Sequence, residues 1–231
     1  MPNHIQNRLE IIGTKQKVQE VKEFMIGKPY DDGTERIFDF NKLIPMPEEL
    51  DIEISSWGDM GQAILFGKGR SMFLGIEEIW RRFDRYTRKQ QKEILEMGFK
   101  YQDNANQFGH ATWYPWAKEN WGTKWNAYSS SYEEENVIMF QTAWNGVPNL
   151  IKKLSQRFPN VEFIYEWADE DTGSNCAMYR YINGEAIESA IPESQSIEAY
   201  ELAFKLWPGD KEMYKLVDGK YEYDEEREFA D

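Results

Sequence analysis

Cysteine is almost absent from this chain: Cys176 stands alone among 231 residues, so no intramolecular disulfide can form and a reducing compartment is expected. Histidine is nearly as scarce, with only His4 and His110. One thiol and two imidazoles are too few donors for a typical zinc site. No stretch approaches the roughly 18 apolar residues of a membrane span. The start, Met-Pro-Asn-His-Ile-Gln-Asn-Arg, lacks the basic and apolar regions of a signal peptide. These absences predict a cytoplasmic protein with no membrane association. Basic charge is also short: 27 Lys and Arg face 41 Asp and Glu, for a net charge of −14. Broad affinity for nucleic acid phosphate needs clustered Lys and Arg to displace counterions, so the surface as a whole is unsuited to it. An acidic chain either avoids nucleic acid or imitates it, and the charge points first to a protein partner.

What the chain does have is aromatic weight. With 41% apolar and 15% aromatic residues it can build a substantial core, as one domain or as one domain carrying an insertion. Nine tryptophans are present, and four of them, Trp113, Trp116, Trp121 and Trp125, crowd one short stretch interleaved with Glu119, Asn120, Lys124 and Asn126. Such a cluster is either a packing hub or a stacking surface.

Ile5 to Ile12 alternates partly and predicts a strand, and Lys15 to Ile26 places Val18, Val21, Phe24 and Met25 on one helical face, with Thr14 as cap and Gly27 as stop. Arg36 to Leu43 reads as a second strand ended by Pro45 and Pro47. Asn136 to Trp144 (strand), Pro148 to Phe158 (helix) and Val161 to Trp167 (strand) repeat the unit. Cys176 to Ile182 and Glu185 to Ile191 form a hairpin through Asn183-Gly184. Two βαβ units predict an α+β, ferredoxin-like split βαβ sandwich with an antiparallel sheet, its two helices on one face and the other face open.

The expected organisation is a single domain over 1–217. Its core is 1–47 with 136–192. A mainly helical, Trp-rich insertion at 48–135 is positioned to cover the open face, and the tryptophan cluster to seal the joint. Within it, Ile76, Ile79, Trp80 and Phe83 make one helical stripe, and a second helix runs from Thr87 to Met97, stopped by Gly98. A C-terminal helix is expected at 196–207. Residues 218–231 carry seven acids and predict a loose or partner-dependent tail.

Several ordered motifs add a resemblance: Met1-Pro-Asn-His4 with Asn7-Arg-Leu9, Phe38-Asp-Phe-Asn-Lys-Leu-Ile-Pro-Met-Pro47, Glu119-Asn-Trp-Gly-Thr-Lys-Trp-Asn-Ala127 and Phe140-Gln-Thr-Ala-Trp144. Together they resemble the YubB-type family of phage and plasmid proteins, across most of residues 1 to 192. The resemblance implies a ferredoxin-like domain and a mobile-element context inside a bacterial cell. It implies no chemistry. Where the family shows a glycine-containing turn after its Tyr/Trp-Ala-Asp-Glu strand end, this chain has Trp167-Ala-Asp-Glu170 and then Asp171-Thr172-Gly173, with the glycine displaced.

Among candidate sites, Trp121, Lys124, Trp125 and Asn126 can present indoles with polar contacts to a base or a partner loop, or else cover the sheet. Glu166, Asp169, Glu170 and Asp171 are close enough in sequence to suggest Mg²⁺ or Ca²⁺, but miss the calcium-loop spacing, so a solvated turn is expected and no metal. His4, beside Asn7, begins a strand without a visible catalytic partner, and Trp144 closes the Phe140 motif. Cys176 reads as a buried, inert thiol. Gly61, Gly67 and Gly69 around Lys68 miss the phosphate-loop spacing. Arg81, Arg85, Arg88 and Lys92 would share a face if they stood on one helix. No cofactor is expected. The leading functional reading is a non-enzymatic protein that binds another macromolecule through an acidic surface, plausible for interference with host defence or regulation. The alternative is a module for single-stranded nucleic acid or a nucleotide, built on the Trp block.

Overall fold

The residues of the first strand alternate, and the fold grows from that alternation. In the computed structural model, which describes residues 2–30 and 32–224, the elements in order are β1 (His4–Ile12), α1 (Lys15–Met25), α2 (Ser56–Phe66), α3 (Ile76–Phe83), α4 (Arg88–Phe108), α5 (Trp113–Asn120), β2 (Tyr128–Glu134), β3 (Val137–Ala143), α6 (Pro148–Arg157), β4 (Glu162–Asp169), β5 (Ala177–Ile182), β6 (Glu185–Ala190), α7 (Ile197–Leu206), β7 (Tyr214–Val217) and β8 (Lys220–Tyr223). They fall into two compact units, Met1–Pro45 with Asn120–Asp231, and Met46–Glu119.

The first unit carries a six-stranded sheet in the order β2-β3-β1-β4-β5-β6, every neighbouring pair antiparallel. The sequence β1-α1-β2-β3-α6-β4 with β1 between β3 and β4 is the ferredoxin-like split βαβ arrangement, and the β5–β6 hairpin extends it beyond β4. Ile5, Asn7, Leu9 and Ile11 of β1 are wholly buried on one face. They sit in register with Thr142, Phe140 and Ile138 of β3, and with Tyr165 and Phe163 of β4. Leu150, Ile151 and Leu154 bury the apolar side of α6, and Phe24 of α1 meets Phe158 edge-on just beyond α6. Across this face Phe38, Phe140, Tyr165, Trp167, Tyr179 and Tyr181 stack in succession from β3 to β5.

Three expectations fail here for physical reasons. Arg36 to Leu43 is not a strand. Its backbone bonds the end of α1, with Gly27 N donating to Arg36 O and Asp39 N to Met25 O, and a 3-10 turn follows at Phe40–Lys42. The strand of that βαβ unit is β2, reading Tyr-Ser-Ser-Ser-Tyr-Glu-Glu, inside the stretch assigned to the insertion. As an edge strand it is mostly exposed and carries no apolar alternation to read. The sheet face opposite the ladder is covered by α7, which packs Ala199, Ala203 and Leu206 on Ala168 and Cys176. Finally, the presumed loose tail begins with the β7–β8 hairpin, whose Tyr214 and Tyr221 pack on Tyr200 and Phe204. Residues 225–231 of that expectation lie outside the described residues.

The second unit is helical. Met60, Ala63, Ile79, Phe83 and Ile94 form its core. Thr87 and Gln90 cap α4 reciprocally, but the helix does not stop at Gly98; it runs on to Gly109, which takes φ 77°. Gly98 is there for close packing, since a Cβ on it would lie 2.3 Å from the Gly61 carbonyl carbon. The basic stretch does not share one helix: Arg81 is on α3, Arg88 and Lys92 on α4, and Arg85 between them. Arg81 and Arg82 pair with Glu78, and Lys89 and Lys92 with Glu93 and Glu96. Among the described residues no helix is long and apolar enough to cross a membrane.

Candidate functional site at one end of the sheet

Antiparallel pairing brings the start of β1, the start of β2, and the ends of β3 and β4 to the same edge of the sheet. His4 is in register with Ala143, Ile5 with Asp169, and Tyr128 with Gln141. Several candidate residues scattered over the sequence therefore converge. The His4 amide donates to Glu170 Oε1 at 3.0 Å. Its Nδ1 shares a 2.7 Å hydrogen bond with the Tyr128 hydroxyl, which in turn donates to Thr142 O at 3.0 Å. Burial, with a smaller push from the Glu170 charge, drives the Tyr128 phenol up to about 12.

Beside this pair lies a pocket of about 450 Å³ lined by His4, Tyr30, Arg36, Trp125, Asn126, Ala127 and Tyr128. Trp125 is 37% exposed and meets Tyr128 edge-on at 6.1 Å. The Lys124 ammonium lies 4.3 Å from the Trp125 ring centroid and 5.5 Å from that of Trp144. Opposite, the Arg36 guanidinium stacks 4.3 Å over Tyr30. Arg36 Nε is buried and has no hydrogen-bond partner among the described residues. A buried donor left without an acceptor costs about 1–3 kcal/mol. The pocket thus offers largely apolar, aromatic walls with one cation, Arg36, among its lining residues, while Lys124 lies outside the lining against the Trp125 ring.

The β3 end is also held in a demanding conformation. Trp144 takes φ 73°, in the left-handed region that a bulky residue adopts only when its surroundings impose it. Trp144 N donates to Asn3 O and Asn175 Nδ2 to Trp144 O, fixing it. Asp169 anchors the same corner by accepting from Asn3 Nδ2, Asn175 Nδ2 and Asp171 N, which makes it a loop organiser.

Other candidates are structural. Trp121 is 5% exposed, donates from Nε1 to Ile44 O and packs edge-on to Phe40. Asn126 lines the pocket, but its amide accepts from Phe40 N and Ala127 N and donates to Asp39. Asn7 is wholly buried, donating to Ile5 O, Phe140 O and Thr142 Oγ1 and accepting from Tyr165. Glu166 faces the other side of the sheet, where Arg8 and Lys205 hold it. Strand alternation therefore separates Glu166 from Asp169. No group of three or more His, Cys, Asp or Glu suited to a metal occurs among the described residues. Cys176 is buried, its thiol pushed up by desolvation. Tyr30, Arg36 and Tyr128 escaped the sequence reading. Tyr128 follows the Trp block directly, but nothing in the sequence marks the return of residues 30 and 36 to it.

Comparison with known proteins bears on the fold. No curated protein matches the chain. The solved structure of protein api92 from Yersinia pseudotuberculosis aligns over 84% of this chain and 99% of its own, at 10% identity and a TM-score of 0.39. Residues 120–230, which hold five of the six sheet strands, match the family model described as the ferredoxin-like domain in Api92-like protein.

Proposed function

We propose that the chain is a binding protein whose sheet end takes a nucleotide unit of single-stranded nucleic acid. The base stacks against Trp125 and Tyr128, and the phosphate lies toward Arg36. The observation that carries this reading is the buried, unpartnered Nε of Arg36 beside exposed indole surface. Base–aromatic stacking contributes about 1–3 kcal/mol per base, so one platform supports a modest affinity. The net charge of −14 repels the rest of a strand and confines contact to this end. The test is fluorescence anisotropy of a labelled oligothymidylate. One phosphate contact predicts a shallow salt dependence, with a log–log slope of about −0.7. Arg36→Gln lowers affinity and flattens that slope. An affinity unchanged in Arg36→Gln contradicts the proposal.

A second reading is favoured by a separate feature. Strand β6 is exposed along its whole length and presents Glu185 and Glu188 at the open edge of the sheet. Edge strands are templates for pairing with another chain. Such an edge suits a basic protein segment, in keeping with a cytoplasmic mobile-element protein that acts on a host factor through acidic surface. Affinity capture from bacterial lysate, with and without Ile187→Pro, tests it. Recovery of the same proteins by both forms removes the edge from the account.

A further inference from the structure

The helical unit contains a cavity that the proposed function does not use. It has a volume of about 680 Å³, with Asp59, Arg70, His110, Lys118 and Glu119 on its lining, and falls within the usual range of small-molecule sites. A second cavity of about 370 Å³ shares Ile54, Asp59 and Arg70 with it; the rest of its lining is mixed, with Met60, Phe73, Leu74 and Ile79 as its apolar part and Ser55, Ser56, Ser71 and Arg82 as its polar part. Asp59 and Arg70 therefore border both spaces.

These two residues are not a closed ion pair. Asp59, on α2, is half-buried, and its carboxylate has no hydrogen bond or ion pair within 4.0 Å among the described residues. Desolvation holds its carboxyl above the ordinary range, and the Arg70 charge only partly offsets this. The other charges on the lining are satisfied locally: His110 Nε2 lies 2.6 Å from Glu119, and Lys118 lies over the Tyr114 ring. Gln62, also on the lining, donates to Gln102. What remains is one carboxylate in need of a cationic donor, one guanidinium near it, and partly apolar space alongside.

We infer that this cavity binds a free α-amino acid with an apolar side chain, its ammonium on Asp59, its carboxylate on Arg70 and its side chain against the apolar part of the second cavity. A ligand bearing both charges supplies each residue with the partner it lacks. A plain amine would leave the guanidinium unmatched, and a plain acid would meet the Asp59 charge. Both ends would be held by charge-assisted hydrogen bonds, so losing either lowers affinity by roughly tenfold or more.

Isothermal titration of the full chain with L-leucine, L-methionine and L-phenylalanine tests the inference. Saturable binding of at least one is expected, weakened at least tenfold in Asp59→Asn and in Arg70→Gln and unchanged in Trp125→Ala, which lies in the other unit. The single-charge halves of leucine, 3-methylbutylamine and 4-methylpentanoate, are expected to bind at least tenfold more weakly than leucine. This comparison needs no variant. Failure of all three amino acids to bind overturns the inference, as does equal binding by either half or undiminished binding in both variants. None of these results alters the oligonucleotide test, which reads the other unit.

Discussion

Asn7, a binding candidate by sequence, is wholly buried in the structure. It occupies the third place in Ile5-x-Asn7-x-Leu9-x-Ile11, a register that puts it on the buried face. There a polar side chain must satisfy all its hydrogen-bonding groups. It does so through Tyr165, whose hydroxyl donates to Asn7 Oδ1 at 2.6 Å and accepts from Val147 N at 2.7 Å. Burial raises the Tyr165 phenol far above its ordinary value. Tyr165→Phe strands a buried amide and a buried carbonyl at once, and is expected to cost about 2–4 kcal/mol in urea unfolding. Asp59 behaves in the opposite sense. Its folded-state pKa is raised, so at pH above that value the ionised carboxylate disfavours the folded state. The penalty fades as pH falls toward the ordinary value of 3.8, where both states take up the proton. Asp59→Asn is therefore expected to raise the thermal midpoint at neutral pH and to lose that advantage in acid. A midpoint lowered at neutral pH contradicts the assignment of Asp59 as an unpaired carboxylate.

At the scale of elements, what could be read depended on whether burial left a pattern. β1 and the helices α1, α6 and α7 each bury one face and leave a periodic trace, while β3 and β4 are buried along most of their length and show as apolar and aromatic runs. The edge strand β2 buries almost nothing and leaves none. Ile37, Phe38 and Phe40 imitate a strand because a segment packed against the helix end and sheet also gathers apolar residues. Gly98 illustrates a second ambiguity: a glycine in a helical pattern marks either a stop or a close approach. Here the approach to Gly61 decides it, and Gly98→Ala is expected to destabilise by about 1–3 kcal/mol or more, despite alanine's better helix propensity. On α7, Lys205 reaches the buried Glu166 at 2.6 Å. Lys205→Ala leaves Glu166 with Arg8 alone, and solvent around the half-exposed lysine limits the expected loss to about 1 kcal/mol.

At the scale of the whole chain, the two units have separate cores, and the second is spliced into the first between α1 and β2. The points of departure and return are neighbours, because Trp121 Nε1 donates to Ile44 O at 3.0 Å. Joining residue 45 to residue 120 through a short Gly/Ser linker is thus expected to leave a ferredoxin-like unit that unfolds cooperatively and keeps the Trp125 pocket. A chain that loses its cooperative transition contradicts the independence of that core. The ferredoxin-like order was legible from the two strand–helix units flanking the long interruption. The pocket was legible only in part, since Trp125, Asn126 and His4 stood out by type, whereas Arg36 gains its meaning from the return of residues 30 and 36 to the start of β2.

The central claim is that Trp125 forms a stacking platform at the sheet end. Titration of intrinsic tryptophan emission with oligothymidylate, in the wild type and in Trp125→Ala, tests it most directly. The account predicts saturable quenching in the wild type and an affinity at least about tenfold weaker in the variant. Quenching of equal depth and affinity in both proteins contradicts it.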